Sequence, residues 1–304
     1  MNIDGMNFTQ YDTLGIGLTS KVSVYSNGEK HLVLKQAHTS FGGDTEAAEN
    51  VFQSEVDILE QLHGEITLAG HTIKRDDVIP TASKLACATG IPTVSIKPRC
   101  IPLRSFSADA RWHHHVRDLV SALYIAACCD VVHRDVRQAN MMLGPCDTIT
   151  AELKDEKRSR AYLIDWGFAV QAETPVQYAG TGRFASQRVL QLLQSGLDEF
   201  AVFPNDDTVS LVKSLYFIVC MAGNYACLPA EPPSNDSLGK DYCTLVLAFW
   251  ENVVAYHQNR RAAYDAAEQC RKGNTEAYCG LYNTLCNAIN YSNTLRFKHR
   301  FPPT

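Results

Sequence analysis

The sequence contains no run of eighteen or more apolar residues, so a membrane-spanning helix is not expected. Its N-terminus also lacks the basic segment and the apolar stretch that together make up a secretory signal. From these two absences we predict an intracellular protein, cytoplasmic or nuclear, that does not act at a membrane.

An excess of positive charge is missing as well. The chain has 28 Lys and Arg residues against 33 Asp and Glu residues, and the net charge of −5 gives no electrostatic reason to expect nucleic acid as a partner. Neither internal repeats nor low-complexity tracts interrupt the 304 residues, which are enough for one two-lobed domain or two small domains.

Cysteine is abundant, but its arrangement does not indicate a disulfide framework. The 11 cysteines are odd in number, and no pair has the spacing Cys-x-x-Cys. We therefore interpret them as reduced cysteines in the core of an intracellular protein.

Two short segments near the middle of the chain carry the clearest chemical pattern. In the first, Asp135 and Asn140 lie in a stretch rich in Arg, Gln and Asn; in the second, Asp165 follows the apolar residues 162–164 and precedes a glycine. One carboxylate can accept a proton from a hydroxyl group, and a second carboxylate together with an amide oxygen suits Mg²⁺. This combination is typical of phosphoryl transfer, in which positioning and charge neutralisation supply most of the catalysis.

Each of these residues alone has a plainer explanation, because Asp and Asn are common in turns and at helix N-termini. Their occurrence together, in this order, favours the chemical interpretation. With His-Arg-Asp at 133–135, Asn140, and Asp-Trp-Gly at 165–167, the chain resembles the catalytic core of the eukaryotic-type protein kinases. Trp166 in place of the usual Phe, with Leu-Ile before the Asp, resembles the casein kinase 2 branch.

The resemblance implies an α+β fold of two lobes. The N-lobe, about residues 10–97, would contain a small antiparallel sheet and one helix, and the C-lobe, about residues 98–290, would be mostly helical. Residues 1–9 and 291–304 would be short terminal segments. ATP would bind between the lobes, with its adenine ring held by backbone groups of the hinge at 97–99.

The pattern of the N-terminal part agrees with such a lobe. Residues 11–37 predict a three-stranded meander, with a two-residue hairpin turn at Asn27-Gly28 and with alternate residues of 22–26 on opposite faces of the middle strand.

Residues 45–62 predict an amphipathic helix with Asp44 or Thr45 as its N-cap. Its inward face would carry the apolar residues Val51, Phe52, Leu59 and Leu62. Glu55 lies one turn from two of these residues, so it would also point inward and would need a cation nearby. Lys35, on the last strand of the meander, is the expected partner.

By the resemblance, these residues form the nucleotide site. Lys35 would bind the α- and β-phosphates and would be held in place by Glu55, and Asn140 and Asp165 would bind Mg²⁺. Ser20 replaces the third glycine of the usual Gly-rich loop without removing a backbone donor. The expected nucleotide-binding residues are Leu14, Gly15, Gly17, Ser20, Val22 and Lys35.

The resemblance also assigns catalytic roles and a substrate class. Asp135 would position the substrate hydroxyl and accept its proton. Arg137 stands where Ser/Thr kinases usually have Lys, and it would supply positive charge to the γ-phosphate with a planar donor geometry. Residues 180–186 resemble the Ser/Thr-kinase pattern Gly-Thr-x-x-Tyr-x-Ala, which implies a protein substrate that is modified on Ser or Thr.

Two expectations concern the support of the segment 165–188. Gln187-Arg188 stands where Pro-Glu is usual, so the ion pair that normally anchors this segment to a C-terminal Arg is expected to be missing. Asp207 begins an almost wholly apolar helix that ends near Met221, and it would brace the catalytic loop from within the core.

Three further interpretations concern Arg134, the histidines at 113–115 and three arginines. Arg134 is a candidate ligand for a phosphate on Thr174 or Tyr178. The three histidines at 113–115 are interpreted as a surface segment, because neighbouring side chains on a helix point in different directions. The arginines that would favour acidic residues near the target hydroxyl are Arg137, Arg183 and Arg188.

The favoured function is therefore ATP- and Mg²⁺-dependent transfer of the γ-phosphate to Ser or Thr of a protein. Two alternatives remain open. A pseudokinase or ATP-binding scaffold would bind partners without catalysis, although the full set of Lys, Glu, Asp and Asn residues argues against it. A small-molecule phosphotransferase of related fold would lack the segment 180–186.

Overall fold

The computed structural model describes residues 1–3, 5–16, 20–37, 45–85, 91–103, 112–145, 159–221, 224–230, 232, 239–255 and 258–300. In this part of the chain a sheet-rich N-lobe is followed by a mainly helical C-lobe, as the sequence predicts. Within the same residues, no helix combines the length and the apolar character that crossing a bilayer requires.

The N-lobe consists of short strands and one long helix. Its elements are β1 (Asn2–Ile3), β2 (Met6–Asn7), β3 (Thr9–Ile16), β4 (Ser20–Ser26), β5 (His31–Ala37), α1 (Thr45–Gln61), β6 (Glu65–Leu68), β7 (His71–Lys74), β8 (Thr81–Lys84) and β9 (Thr93–Lys97). Five strands form one antiparallel sheet in the order β3-β4-β5-β9-β8, while β1 pairs with β2 and β6 with β7.

The three-stranded meander predicted for residues 11–37 is confirmed as β3, β4 and β5. The predicted two-residue turn is wrong: Ser26 pairs with His31, and residues 27–30 all lie in the loop. The side chain of Asn27 accepts two backbone N–H groups of this loop, at 3.0 and 2.7 Å. This side-chain bonding closes a wider turn than the one that the dipeptide predicts.

The middle strand β4 is buried on both faces, which its sequence does not indicate. Ser23, Val24 and Tyr25 are all buried where an alternation of buried and exposed residues was predicted. Tyr25 packs with Ile3 and Phe8 of the N-terminal segment. That segment covers a second face of the sheet, so the strand has no solvent-facing side.

Helix α1 points Glu55 inward, as predicted, with only 3% of the residue exposed. The buried apolar residues on this side are Phe52, Leu59 and Leu62. Val51 is 39% exposed, so its assignment to the inward face is wrong. It belongs to the N-terminal half of the helix, where residues 49–51 are all exposed.

The long stretch between α1 and the hinge strand is occupied by an additional hairpin, β6–β7, and by a single turn at Arg75–Asp77. The buried Arg75 donates to the backbone carbonyls of Leu59 and Ile79, at 2.7 and 3.4 Å. These bonds attach the hairpin to the C-terminal end of α1.

The C-lobe contains the larger part of the hydrophobic core. Its elements are β10 (Ile101–Pro102), α2 (Trp112–Cys128), β11 (Val131–Val132), β12 (Met141–Gly144), β13 (Arg160–Leu163), β14 (Val170–Gln171), β15 (Pro175–Gln177), α3 (Gln187–Gln194), β16 (Glu199–Ala201), α4 (Pro204–Met221), α5 (Lys240–Ala255), α6 (Gln258–Glu268) and α7 (Thr275–Arg300). The strands pair as β10-β12-β13, β11-β14 and β15-β16.

Two helices cross the core of this lobe. Helix α2 is buried from Val116 to Ala127, and its apolar residues there include Leu119, Val120, Leu123 and Ala126. Helix α4 is buried on all sides from Pro204 to Val219, and its first half buries polar residues such as Asp206 and Asp207 as well as apolar ones. Its first turn lies against the loops that carry the motif residues.

Candidate active site

The two motif segments meet at the ends of neighbouring strands. Asn140 directly precedes β12, and Asp165 follows two residues after β13. The two strands are antiparallel with Met141 opposite Leu163, and the backbone N–H of Ile164 donates to the Asn140 carbonyl at 2.9 Å. Because one strand begins where the other ends, Asn140 and Asp165 lie at the same edge of the sheet.

Asp135 is 4% exposed, and its carboxylate accepts four hydrogen bonds. Oδ1 accepts the backbone N–H and the hydroxyl of Thr181, at 3.0 and 2.7 Å. Oδ2 accepts Arg137 Nε and Asn140 Nδ2, each at 3.0 Å. The contact with Thr181 was missed at the sequence level, although this residue is the threonine of the motif at 180–186.

Asn140 presents its amide oxygen rather than its N–H groups to the open side of the site. Its Nδ2 donates to the backbone carbonyl and to Oδ2 of Asp135, at 2.8 and 3.0 Å. Within the described ranges, neither the Asn140 amide oxygen nor Asp165 Oδ2 accepts a hydrogen bond. Two hard oxygen donors at one strand edge fit the Mg²⁺ ion that the resemblance implies.

Lys35 joins the two lobes through two carboxylates. Its Nζ lies 2.8 Å from Glu55 Oε2 on α1 and 2.6 Å from Asp165 Oδ1, which confirms the predicted partner of Glu55. Burial alone would lower the pKa of Lys35, but the two carboxylates raise it above its ordinary value. Burial also favours the neutral acid at Asp165, yet the Lys35 charge holds the pKa of Asp165 below its ordinary value.

His133 and Trp166 form a buried support beneath this cluster. Trp166 donates its indole N–H to the Leu163 carbonyl at 2.9 Å, and its ring meets His133 edge to face with 4.5 Å between centroids. His133 Nδ1 accepts the Asp135 N–H at 3.2 Å, while Nε2 lies 3.0 Å from the Ile164 carbonyl oxygen. This pattern requires a neutral imidazole with hydrogen on Nε2, and burial accordingly lowers the pKa of His133.

Helix α4 braces the catalytic loop in the predicted way. Asp207 accepts the backbone N–H groups of His133 and Arg134, at 2.5 and 2.9 Å. Ser214, two turns further along, donates its hydroxyl to the Val136 carbonyl at 3.0 Å. Burial raises the pKa of Asp207 to about 7, because its neutralising contacts are backbone dipoles rather than a salt bridge.

The side chain of Arg134 ties the catalytic loop to the segment that follows Asp165. Its guanidinium donates to the backbone carbonyls of Phe168 and Gln177. Gln177 is the last residue of β15, which pairs with β16, so the segment also has a strand partner. A phosphate on Thr174 or Tyr178 stays a hypothesis.

Gly180 allows the segment to approach the catalytic loop closely. A Cβ atom at this position would lie 2.1 Å from the backbone carbonyl oxygen of Arg134 and 2.8 Å from the Tyr178 hydroxyl. Only glycine fits there. The close approach brings the next residue, Thr181, within hydrogen-bond distance of Asp135.

The far end of this segment is anchored by an ion pair other than the one that Gln187-Arg188 predicts to be missing. Arg188 forms an ion pair with Asp206 of α4, and its Nη2 donates to the Ala201 carbonyl at 2.8 Å. In the usual arrangement the acid lies on the segment and the base lies on the C-lobe. In this protein the base lies on the segment and the acid lies on the helix.

The predicted nucleotide-binding residues of the β3–β4 hairpin lie on its two strands. Leu14 and Gly15 are exposed on β3, and Ser20 is buried at the start of β4. Val22 is half-buried and pairs directly with Lys35 of β5. The second strand of this hairpin is therefore paired with the strand that carries Lys35, which contacts Asp165.

Two predicted residues, Gly17 and Asp44, lie outside the described residues. The predicted hinge at 97–99 directly follows β9. The histidines at 113–115 are partly or fully exposed on the first turn of α2, where His115 Nε2 lies 3.1 Å from Ser159 Oγ.

Comparison with known proteins identifies the architecture. No protein-family model matches the sequence, and no curated protein matches it. Among solved structures, the chain is similar to the crystal structure of a kinase domain from Plasmodium, with a TM-score of 0.52 and 13% sequence identity. The match covers 71% of this chain and 64% of that chain. The protein therefore has a two-lobed, protein-kinase-like α+β fold.

Proposed function

We propose that this protein transfers the γ-phosphate of ATP to Ser or Thr hydroxyls of protein substrates. The observation that carries the proposal is the pair of hydrogen bonds from Thr181 to Asp135. They join the candidate base to the segment that resembles the peptide-docking segment of Ser/Thr kinases. A carboxylate beside such a segment can orient a peptide hydroxyl and accept its proton.

In the proposed reaction the substrate hydroxyl attacks the γ-phosphorus, and the bond to the bridging oxygen of the departing ADP breaks. The hydroxyl proton passes to Asp135. Lys35 neutralises charge on the α- and β-phosphates, and Glu55 keeps the amine in place. Mg²⁺ held by Asn140 and Asp165 would reduce the repulsion among the phosphate oxygens.

Arg137 supplies charge from the position that usually holds Lys. Its Nε is bound to Asp135, so the guanidinium lies beside the reacting groups, and 34% of its side chain is exposed. Arg188, by contrast, is paired with Asp206. The hypothesis of a preference for acidic substrate residues concerns Arg137, Arg183 and Arg188, and the charge of Arg188 is already engaged by Asp206.

Two observations favour this function over the alternatives. The ion pairs of Lys35 with Glu55 and Asp165 are assembled, whereas a scaffold without catalysis needs no such alignment. The segment at 180–188 is fixed beside Asp135, and a small-molecule phosphotransferase has no use for it. The proposed likeness to the casein kinase 2 branch rests on the identity of Trp166, whose buried indole donates to the Leu163 carbonyl.

The test is transfer of labelled γ-phosphate from MgATP to a panel of Ser, Thr and Tyr peptides, with nucleotide binding measured in parallel. We expect label on Ser or Thr, and a fall of about 10²- to 10⁴-fold for Asp135→Asn with MgATP binding retained. Binding of MgATP without transfer by the wild-type protein would support the scaffold instead. Label on Tyr alone would refute the assignment to Ser and Thr.

A further inference from the structure

Two consecutive acids at the start of α4 contact different parts of the site. Asp207 accepts the backbone N–H groups of the catalytic loop, whereas Asp206 faces the end of the segment that begins at Thr181. Asp206 is 6% exposed, and its Oδ1 accepts the Ser186 hydroxyl at 2.6 Å and Arg188 Nε at 3.2 Å. The buried carboxylate thus has both a cation and a hydroxyl as partners, as a buried charge requires.

Arg188 is held in one orientation from several sides. Its Nη2 donates to the second oxygen of Asp206 and to the Ala201 carbonyl, while its guanidinium carbon lies 4.7 Å from the centre of the Phe203 ring. These contacts use the planar fork of a guanidinium, which an ammonium group cannot reproduce. The same Asp206 oxygen also accepts the Phe203 N–H at 3.0 Å, which fixes the carboxylate at the start of the helix.

Two other residues of the C-lobe fix backbone carbonyls of the same segment. Lys213 of α4, which is 1% exposed, donates to the Ala185 carbonyl and lies 5.5 Å from the ring centre of Trp250. Trp250 of α5 donates its indole N–H to the Arg183 carbonyl at 2.6 Å. The segment is therefore attached to the helical core along its length, and Asp206 holds its last part.

We propose that Asp206 is a positioning residue for the peptide substrate and acts through Ser186 and Arg188. The proposal rests on the proposed protein-kinase function and specifies how the docking segment is placed relative to Asp135. Since Asp206 and Asp207 are neighbours in one helix, the docking segment and the catalytic loop are fixed to a single rigid support.

Loss of this anchor affects peptide binding more than nucleotide binding. Asp206→Asn keeps an acceptor for the Ser186 hydroxyl but removes the charge that faces Arg188. Charge-assisted hydrogen bonds of this kind correspond to about 10- to 100-fold in an equilibrium constant. We expect KM for the peptide to rise about tenfold or more, while kcat at saturating peptide and the Kd of MgATP change less than about threefold.

The experiment compares three variants: Asp206→Asn, Arg188→Gln and the exchanged pair Asp206→Arg/Arg188→Asp. Peptide kinetics, the Kd of MgATP and amide hydrogen exchange of residues 180–190 are measured for each. We expect both single variants to raise KM for the peptide and to speed exchange, and the exchanged pair to restore part of both. Asp265→Asn, which removes one partner of an exposed ion pair with Arg261, is the matched control and leaves both readouts unchanged.

Each outcome decides the proposal. Unchanged KM in a folded Asp206→Asn variant would overturn it, even if exchange becomes faster, because Asp206 would then be merely structural. If Asp206→Asn does not fold, Arg188→Gln supplies the same readouts from a partly exposed residue. If the wild-type protein transfers no phosphate, the proposed function fails and this proposal fails with it, whereas transfer with an unchanged KM in Asp206→Asn overturns this proposal alone.

Discussion

Two groups of acids hold the candidate site together, and their carboxylates are stabilised in different ways. In the upper group, Glu55 and Asp165 share the cation of Lys35, and the three side chains come from separate elements of both lobes. In the lower group, Asp207 accepts two backbone N–H groups of the catalytic loop. The upper group therefore depends on charge, and the lower group depends on backbone geometry.

The largest expected effect comes from removing the shared cation. Lys35→Met should abolish phosphate transfer and lower the free energy of unfolding by about 3–5 kcal/mol, because it leaves the buried Glu55 without a counter-charge. Chemical denaturation of Lys35→Met, Glu55→Gln and the double variant measures this. The double variant should be more stable than Lys35→Met alone; equal stability would show that the pair does not depend on charge.

The contributions of Asp207 and Asp165 to the free energy of unfolding should also change in opposite directions as the pH falls. The pKa of Asp207 is about 7 in the folded protein against an ordinary value of 3.8, so between these pH values the unfolded chain has lost a proton that the folded chain retains. Stability from Asp207 therefore falls as pH rises from 4 to 7, by up to about 4 kcal/mol. The pKa of Asp165 is lowered, so its contribution is present above pH 3.8 and is lost as pH falls further.

Unfolding measured from pH 3 to pH 8 for wild type, Asp207→Asn and Asp165→Asn separates the two contributions. The free energy of unfolding of the wild type minus that of Asp207→Asn should fall as pH rises from 4 to 7. The free energy of unfolding of the wild type minus that of Asp165→Asn should instead rise with pH up to about 3.8. Parallel curves for the wild type and Asp207→Asn would mean that Asp207 is ionised in the folded protein across this range.

The geometric character of the lower group can be tested at Gly180. Gly180→Ala would place a Cβ 2.1 Å from the Arg134 carbonyl oxygen, so the segment must move away from Asp135. A displacement of this kind should lower kcat/KM by about 10²-fold with little change in nucleotide binding. Gly280→Ala, within α7 where a Cβ meets nothing within 4 Å, is the control and should keep full activity.

The smallest effect is expected from the candidate phosphorylation positions. The guanidinium of Arg134 already donates to two backbone carbonyls of the segment, so the order of the segment does not require a phosphate. Thr174→Ala/Tyr178→Phe should therefore leave kcat/KM within about twofold of wild type. A large loss of activity, together with phosphate found on the wild-type protein by mass spectrometry, would contradict this expectation.

The sequence predicts the upper group well, because periodicity and charge both constrain it. Glu55 lies on the buried face of a helix, and a buried acid requires a cation, which leaves Lys35 as the natural partner. The spacing of Asp135 and Asn140 likewise indicates one loop. These inferences use local patterns, and the structure places the residues accordingly.

Contacts that depend on packing between distant segments were missed. The pairing of Arg188 with Asp206 joins residues of different elements and has no periodic signal, and the apolar sequence of α4 drew attention only to Asp207. The burial of Tyr25 on the second face of its strand involves Phe8, from a part of the chain that was expected to be a short terminal segment. The exposure of Val51 was missed because helix period alone does not show which residues at the edge of a helix face are covered.

The adjacency of Asp206 and Asp207 has a consequence for the order of events in a catalytic cycle. Opening of the lobes to release ADP would separate Lys35 from Asp165, but it would leave the acceptor half of the site unchanged. The catalytic loop is bound to Asp207 and the docking segment is bound to Asp206, and both acids lie in one turn of α4. The distance between the two contacts is therefore fixed by the helix. Under the proposed function, the peptide-binding side of the site would therefore keep its geometry while the nucleotide is exchanged.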